Sequence, residues 1–165
     1  MYPDECVHVV PNGAHVTEDA KGRVRVEHES LRGGHMRIPS CKRNAKSKSA
    51  RLGFPADYNG WLAYTSYKTT ADTFTNFLGN FSVPNAPRNT PQQLFIFTGL
   101  QNVDWIPKVD PEPEVFDIIQ PVLQYPADAG LSWSVKSWYV TLNSGVLVTD
   151  EIPCQPGDNI YGNMT

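Results

Sequence analysis

The chain has 165 residues, one domain's worth at roughly 150 residues per domain. Its 14 Lys/Arg against 17 Asp/Glu leave a net charge of −3, which excludes a basic nucleic-acid-binding surface across the whole molecule. No run of about 18 apolar residues is present to form a membrane-spanning helix, and Gly 12 with Pro 14 and 11 % aromatic residues favours a loop-rich β protein.

Charge divides the sequence at Arg51. Met1 to Arg51 holds ten Lys/Arg and six Asp/Glu together with all four histidines (His8, His15, His28, His35); Leu52 to Thr165 holds four Lys/Arg and eleven Asp/Glu. Residues 1–51 therefore read as a basic, irregular polar leader, and residues 52–165 as an acidic, aromatic-rich domain. Arg37 to Arg51 carries six basic residues and no acid. It is expected to be a solvated linker, with an anionic-surface contact or processing at Lys42-Arg43 as the functional alternative. The histidines lack the spacing of zinc ligands, so no metal is expected. Met1 to Glu5 has neither the basic start nor the apolar run of a signal peptide. A Cys6–Cys41 bridge across the leader would leave Cys154 odd. The sequons Asn80-Phe81-Ser82 and Asn163-Met164-Thr165 are compatible with a secreted glycoprotein.

From Gly60 onward, short strand signals alternate with Pro, Gly and Asn clusters. Gly60–Tyr67 and Thr73–Val83 are the first two, the second with a bulge or tight turn at Gly79. Leu94–Phe97 is continuously apolar, as expected of a strand buried on both faces. Val115–Tyr125 is long, but Pro121 calls for a bulge or an edge position. In Leu131–Leu142 the apolar phase slips between Val135 and Trp138, which predicts a bulge near Lys136-Ser137. Gly145–Val148 and Asn159–Met164 complete seven strands, and with no amphipathic helix they predict an all-β chain of two packed antiparallel sheets.

No histidine lies between Leu52 and Thr165. That excludes Ser–His–Asp or Cys–His catalysis within the domain unless the leader folds back over it. The acidic stretch Asp110 to Glu114 reads as a solvated loop rather than a calcium site. Paired carboxylates for glycoside hydrolysis have no visible candidate except Asp117 with an unknown partner. Gln120 is the anomaly: an amide between Ile118-Ile119 and Val122-Leu123, in the most apolar strand of the chain. It either ties two strands together or serves a site, since a buried amide without partners costs about 1–3 kcal/mol.

Asn59-Gly60-Trp61, Phe81-Ser82-Val83-Pro84, Phe97-Thr98-Gly99-Leu100, Ile118-Ile119-Gln120, Trp138-Tyr139 and Pro156-Gly157-Asp158 occur in the order of motifs in the eqolisin-type glutamic peptidases. The chain from Asn59 onward resembles that family, which implies a concanavalin-like, jelly-roll type β-sandwich. The resemblance also implies a secreted endopeptidase without cofactor, in which Gln120 orients a water and stabilises the oxyanion while a glutamate acts as base. Trp61, Phe97 and Trp138 would line the cleft for a polypeptide substrate. The family's glutamate belongs to a later strand than any before Thr165, and Lys136 and Val140 replace the acids flanking the family's Trp-Tyr pair. The sandwich is therefore expected to be incomplete and inactive as it stands, completed by a C-terminal segment or a second chain. The alternative is a non-catalytic carbohydrate-binding or surface module on the same fold, with Trp105 in a Pro-rich loop as an exposed stacking face.

Overall fold

A computed structural model describes residues 4–41, 63, 65–67, 74–88, 93–102, 116–128, 130–141 and 143–165. After a 3-10 turn at Asp4–Cys6 come β1 (Val7–Val9), β2 (His15–Glu18), β3 (Val24–Glu27) and β4 (His35–Arg37). Next are β5 (Phe77–Ser82), β6 (Leu94–Phe97), β7 (Leu100–Gln101), β8 (Asp117–Tyr125) and β9 (Trp133–Thr141). β10 (Gly145–Val148), β11 (Ile152–Cys154) and β12 (Asn159–Met164) follow. The described residues contain no α-helix and are all-β.

The main sheet runs β1-β10-β9-β8-β6, with β11 also on β9 and β7 also on β8. All pairs are antiparallel except β1 with β10. Its centre is β8 on β9, in unbroken register from Asp117↔Thr141 to Gln124↔Ser134. No bulge interrupts the β8–β9 ladder, but on the other side of β9 the register shifts by one residue at Lys136-Ser137, between Val148↔Trp138 and Ile152↔Val135, as expected there. The apolar phase changes because β9 buries both of its faces, each in a different half. Trp133 and Val135 join Leu123, Tyr125 and Val83 on one side, whereas Trp138 and Val140 join Ile118, Val146 and Val148 on the other. Nor does Pro121 mark a bulge or an edge. It sits opposite the Thr98-Gly99 break between β6 and β7, where β8 has no ladder partner on that side, so the missing N–H costs nothing there.

Two smaller sheets cover one face of the main sheet. β12-β5 packs Phe81 and Ile160 over Leu123 and Trp133. Gly79 is no bulge, since β5 and β12 pair continuously from Ser82↔Asn159 to Phe77↔Met164. It lies opposite Gly162, and a Cβ on either would collide with Thr98 or Pro121, so the glycine pair lets this sheet approach closely. The second covering sheet, β2-β3-β4, comes from the expected leader. Val24 and Val26 alternate with Arg25 and Glu27 and bury against Val10, Ile38 and Leu147. Residues 4–41 are thus not an irregular leader: charge sits on the outward positions of short strands whose inward positions are apolar. A Cys6–Cys41 disulfide ties the start of this segment to its end. β1 shares the main sheet with β10, and the boundary expected at Arg51 lies outside the described residues.

The layering is that of a β-sandwich with a divided second layer. β6 departs from expectation, for it ends the main sheet and leaves Phe95 and Ile96 about 40 % exposed rather than buried on both faces. Of the strand expected over Gly60–Tyr67, only Ala63 and Thr65 to Tyr67 are described, and they belong to no strand.

Candidate functional site

Alternation along β8 and β9 places Ile118, Gln120, Val122 and Gln124 opposite Val140, Trp138, Lys136 and Ser134 on the face turned away from both covering sheets. Four of these eight are buried polar groups: Gln120 at 7 % exposure, Gln124 at 2 %, Lys136 at 9 % and Ser134 fully enclosed. Buried polar groups require partners, and the two ends of this lane meet that requirement differently.

At one end Gln124 and Lys136 are paired, while the Ser134 hydroxyl beside them has no partner. Asp128 accepts from Lys136 Nζ at 2.6 Å and from Gln124 Nε2 at 3.1 Å, while its own backbone N–H donates to Glu151 Oε2 at 3.0 Å. The Lys136 ammonium holds the Asp128 carboxyl below its ordinary range. Lys136 is thereby fixed and neutralised at the buried end of the pair.

At the other end, Gln120 Oε1 and the Trp138 indole N–H are buried with no hydrogen-bond partner. They belong to residues in direct cross-strand register, whose Cβ atoms in such pairs stand about 4.5–5.5 Å apart. An acceptor and a donor side by side are complementary to a group that both donates and accepts: a water, a hydroxyl or a peptide unit. Phe95 packs edge-on against Trp138 with ring centroids 5.5 Å apart, and Phe97 packs with Ile118 and Val140 beneath.

Gln120, Phe97 and Trp138 therefore share one face, as the sequence reading requires of a site. Trp61 and Trp105 lie outside the described residues. Phe95, Gln124 and the Lys136–Asp128 pair were missed. Gln124 was detectable, being a second amide four residues after Gln120 in the same apolar strand and so on the same face.

A second constellation occupies the opposite face. The Tyr139 hydroxyl lies 2.9 Å from Glu18 Oε2 on β2 and 3.3 Å from Asp117 Oδ1 on β8. Asn102 brackets Asp117, accepting its backbone N–H at 2.9 Å and donating to Oδ2 at 3.2 Å. Glu18 is thus the companion of Asp117 that the sequence left unidentified. A hydroxyl has one proton and cannot donate to both carboxylates. Burial, then the Glu18 charge, pushes the Asp117 carboxyl above its ordinary range. Burial and the bond to Glu18 push the Tyr139 phenol upward as well. Because the folded-state pKa of Asp117 is raised, its contribution to stability is complete below the unfolded carboxyl value of about 3.9 and is lost as pH rises through the folded value. Asp117→Asn is expected to remove part of the stability difference between about pH 4 and pH 7, read from urea midpoints of both proteins at the two pH values. An unchanged difference would show that Asp117 does not carry it.

The odd cysteine is inert. Cys154 is buried, its thiol donates to the Ile152 carbonyl at 3.4 Å, and burial pushes its pKa up. Among the described residues no three His, Cys, Asp or Glu side chains are gathered as metal ligands. Comparison with protein-family models, with curated proteins and with solved structures finds no match to this chain.

Proposed function

We propose that this protein is a secreted, concanavalin-like β-sandwich related to the glutamic endopeptidases, with Gln120 as the residue that orients a water and stabilises an oxyanion on an extended polypeptide. The observation that carries the reading is the unpaired Gln120 Oε1 beside the unpaired Trp138 N–H. A water donating to Oε1 is held for attack, and the amide nitrogen, which does not titrate, donates to the oxyanion that forms. The attacking water must lose a proton to a carboxylate. Among the described acids, Asp117 faces the other side of the sheet and Asp128 is taken by Lys136 and Gln124. The base is then a carboxylate from outside the described residues. The Cys6–Cys41 disulfide suits an oxidising compartment, and none of the helices among the described residues is long and apolar enough to cross a membrane.

The test is cleavage of an unfolded carrier protein at roughly pH 3–5, where a carboxylate base operates. Cleavage abolished by Gln120→Met supports the reading, and cleavage indifferent to that substitution removes Gln120 from it.

A second reading, a non-catalytic carbohydrate-binding module, is favoured by Phe95, which is 41 % exposed and packs edge-on against Trp138. Such an aromatic pair suits the apolar face of a carbohydrate bound without chemistry. Binding to a neutral polysaccharide in affinity electrophoresis, lost in Trp138→Ala and with no peptide cleavage, would place this reading first.

A further inference from the structure

We infer that the outer face of the β5-β12 sheet is a site of N-linked glycosylation, with Asn80 and Asn163 as the two acceptors. The inference rests on passage through a secretory compartment, which the proposed function includes, and is independent of the Gln120 chemistry.

Both acceptor asparagines lie in paired strands. Along β5 the residues Phe77, Gly79 and Phe81 face inward, and along β12 Ile160, Gly162 and Met164 do the same. Alternation then turns Leu78, Asn80 and Ser82 outward, with Asn159, Tyr161 and Asn163 beside them. Two acceptor motifs 83 residues apart in sequence thus present their asparagines on one surface, Asn80 opposite Tyr161 and Asn163 opposite Leu78. Both asparagines are exposed. Among the described residues, Asn163 Oδ1 accepts from Asn76 Nδ2 at 3.1 Å. That leaves Nδ2, the atom that becomes glycosylated, free of that contact.

The surface gives the sugars a physical role. Tyr161 is 65 % exposed and Leu78 52 %, on a sheet of only two strands whose outer edges have no partner among the described residues. Exposed apolar side chains beside open strand edges invite association between copies. The first sugar on Asn80 would lie over Tyr161, and that on Asn163 over Leu78, with carbohydrate C–H groups against the ring and the isobutyl group. In the transfer itself, Nδ2 of asparagine forms a bond to C1 of an oligosaccharide carried on a lipid pyrophosphate. The bond from C1 to the pyrophosphate breaks, the lipid pyrophosphate departs with the electron pair, and the amide gives up one proton.

The experiment is to express the chain behind a cleavable secretion signal in cultured eukaryotic cells and measure intact mass before and after peptide-N-glycosidase, with peptide mapping of the released sites. Two glycans are expected, each removal leaving aspartate in place of asparagine. Asn80→Gln and Asn163→Gln should each lose one glycan. Mapping on the unsubstituted chain reads both sites without relying on either variant to fold. An unmodified Asn80 or Asn163 in the secreted protein would overturn the inference. The forced secretion signal keeps this outcome separate from whether the chain is naturally secreted, which is decided by fractionating its native source. Deglycosylation of the folded protein should also raise self-association, read by light scattering.

Discussion

Gln120→Met should stabilise the protein by about 1–2 kcal/mol and abolish whatever its face does. Gln120 is 7 % exposed and its Oε1 has no partner, so the folded protein bears the desolvation of that oxygen with no hydrogen bond in return. Methionine has similar length and volume and no polar atom, and Ile118, Val122 and Trp138 offer it an apolar setting. Gln124→Met is the control. Gln124 is as deeply buried, but its amide donates to Asp128, so its loss should destabilise by about 1–2 kcal/mol. Opposite signs for two identical substitutions four residues apart, measured by urea denaturation, would mark Gln120 as a residue retained for function at the expense of stability. If Gln120→Met destabilises as much as Gln124→Met, the amide is tying strands together and the candidate site loses its central member.

Loss of the Cys6–Cys41 disulfide should have the largest effect on stability. The bridge closes a loop across a sequence separation of 35 residues, which in the chain-entropy account corresponds to about 3–4 kcal/mol. In a protein of this size that is a fall in melting temperature on the order of 10 °C. The consequence is local in its structural origin. β2-β3-β4 meets the main sheet through a small cluster centred on Val10, Val24, Val26, Ile38 and Leu147, and through the Tyr139–Glu18 bond. The disulfide joins the two ends of the segment and limits how far this sheet can leave that cluster. Cys6→Ser with Cys41→Ser should therefore expose the covering sheet, residues 15–37, to proteolysis before the main sheet unfolds. A double variant with the stability and protease resistance of the oxidised protein would show that apolar packing alone docks this sheet.

Several strands were legible from local pattern. β8, β9, β10 and β12 fall within segments read from alternation and from Pro, Gly and Asn punctuation, because those signals depend only on near neighbours. Gln120 was visible for the same reason, as an amide in an apolar run is a local contradiction. Three features were not legible. The phase change in β9 was legible but its cause was not: a central strand with separate cores on its two sides breaks the one-face rule while its register with β8 stays intact, and the one-residue offset falls only on the β10–β11 side. β3 was hidden because a four-residue strand with two inward valines has too few positions to outweigh its charges. The companion of Asp117 was hidden because Glu18 is 99 positions away, and only the docking of β2 brings them onto one hydroxyl.

What the amino-acid sequence determined by itself is the secondary structure class, the main strands and the chemical oddity of Gln120, since each is written in residue type and spacing over a few positions. Tertiary structure decided which face Gln120 occupies, that Trp138 stands opposite it with an equally unpaired N–H, and that Lys136 finds Asp128. It also decided that residues 4–41 form a folded layer. These outcomes depend on register and on contacts between distant segments. Packing free energy summed over whole faces selects them, and no local window of sequence contains that sum.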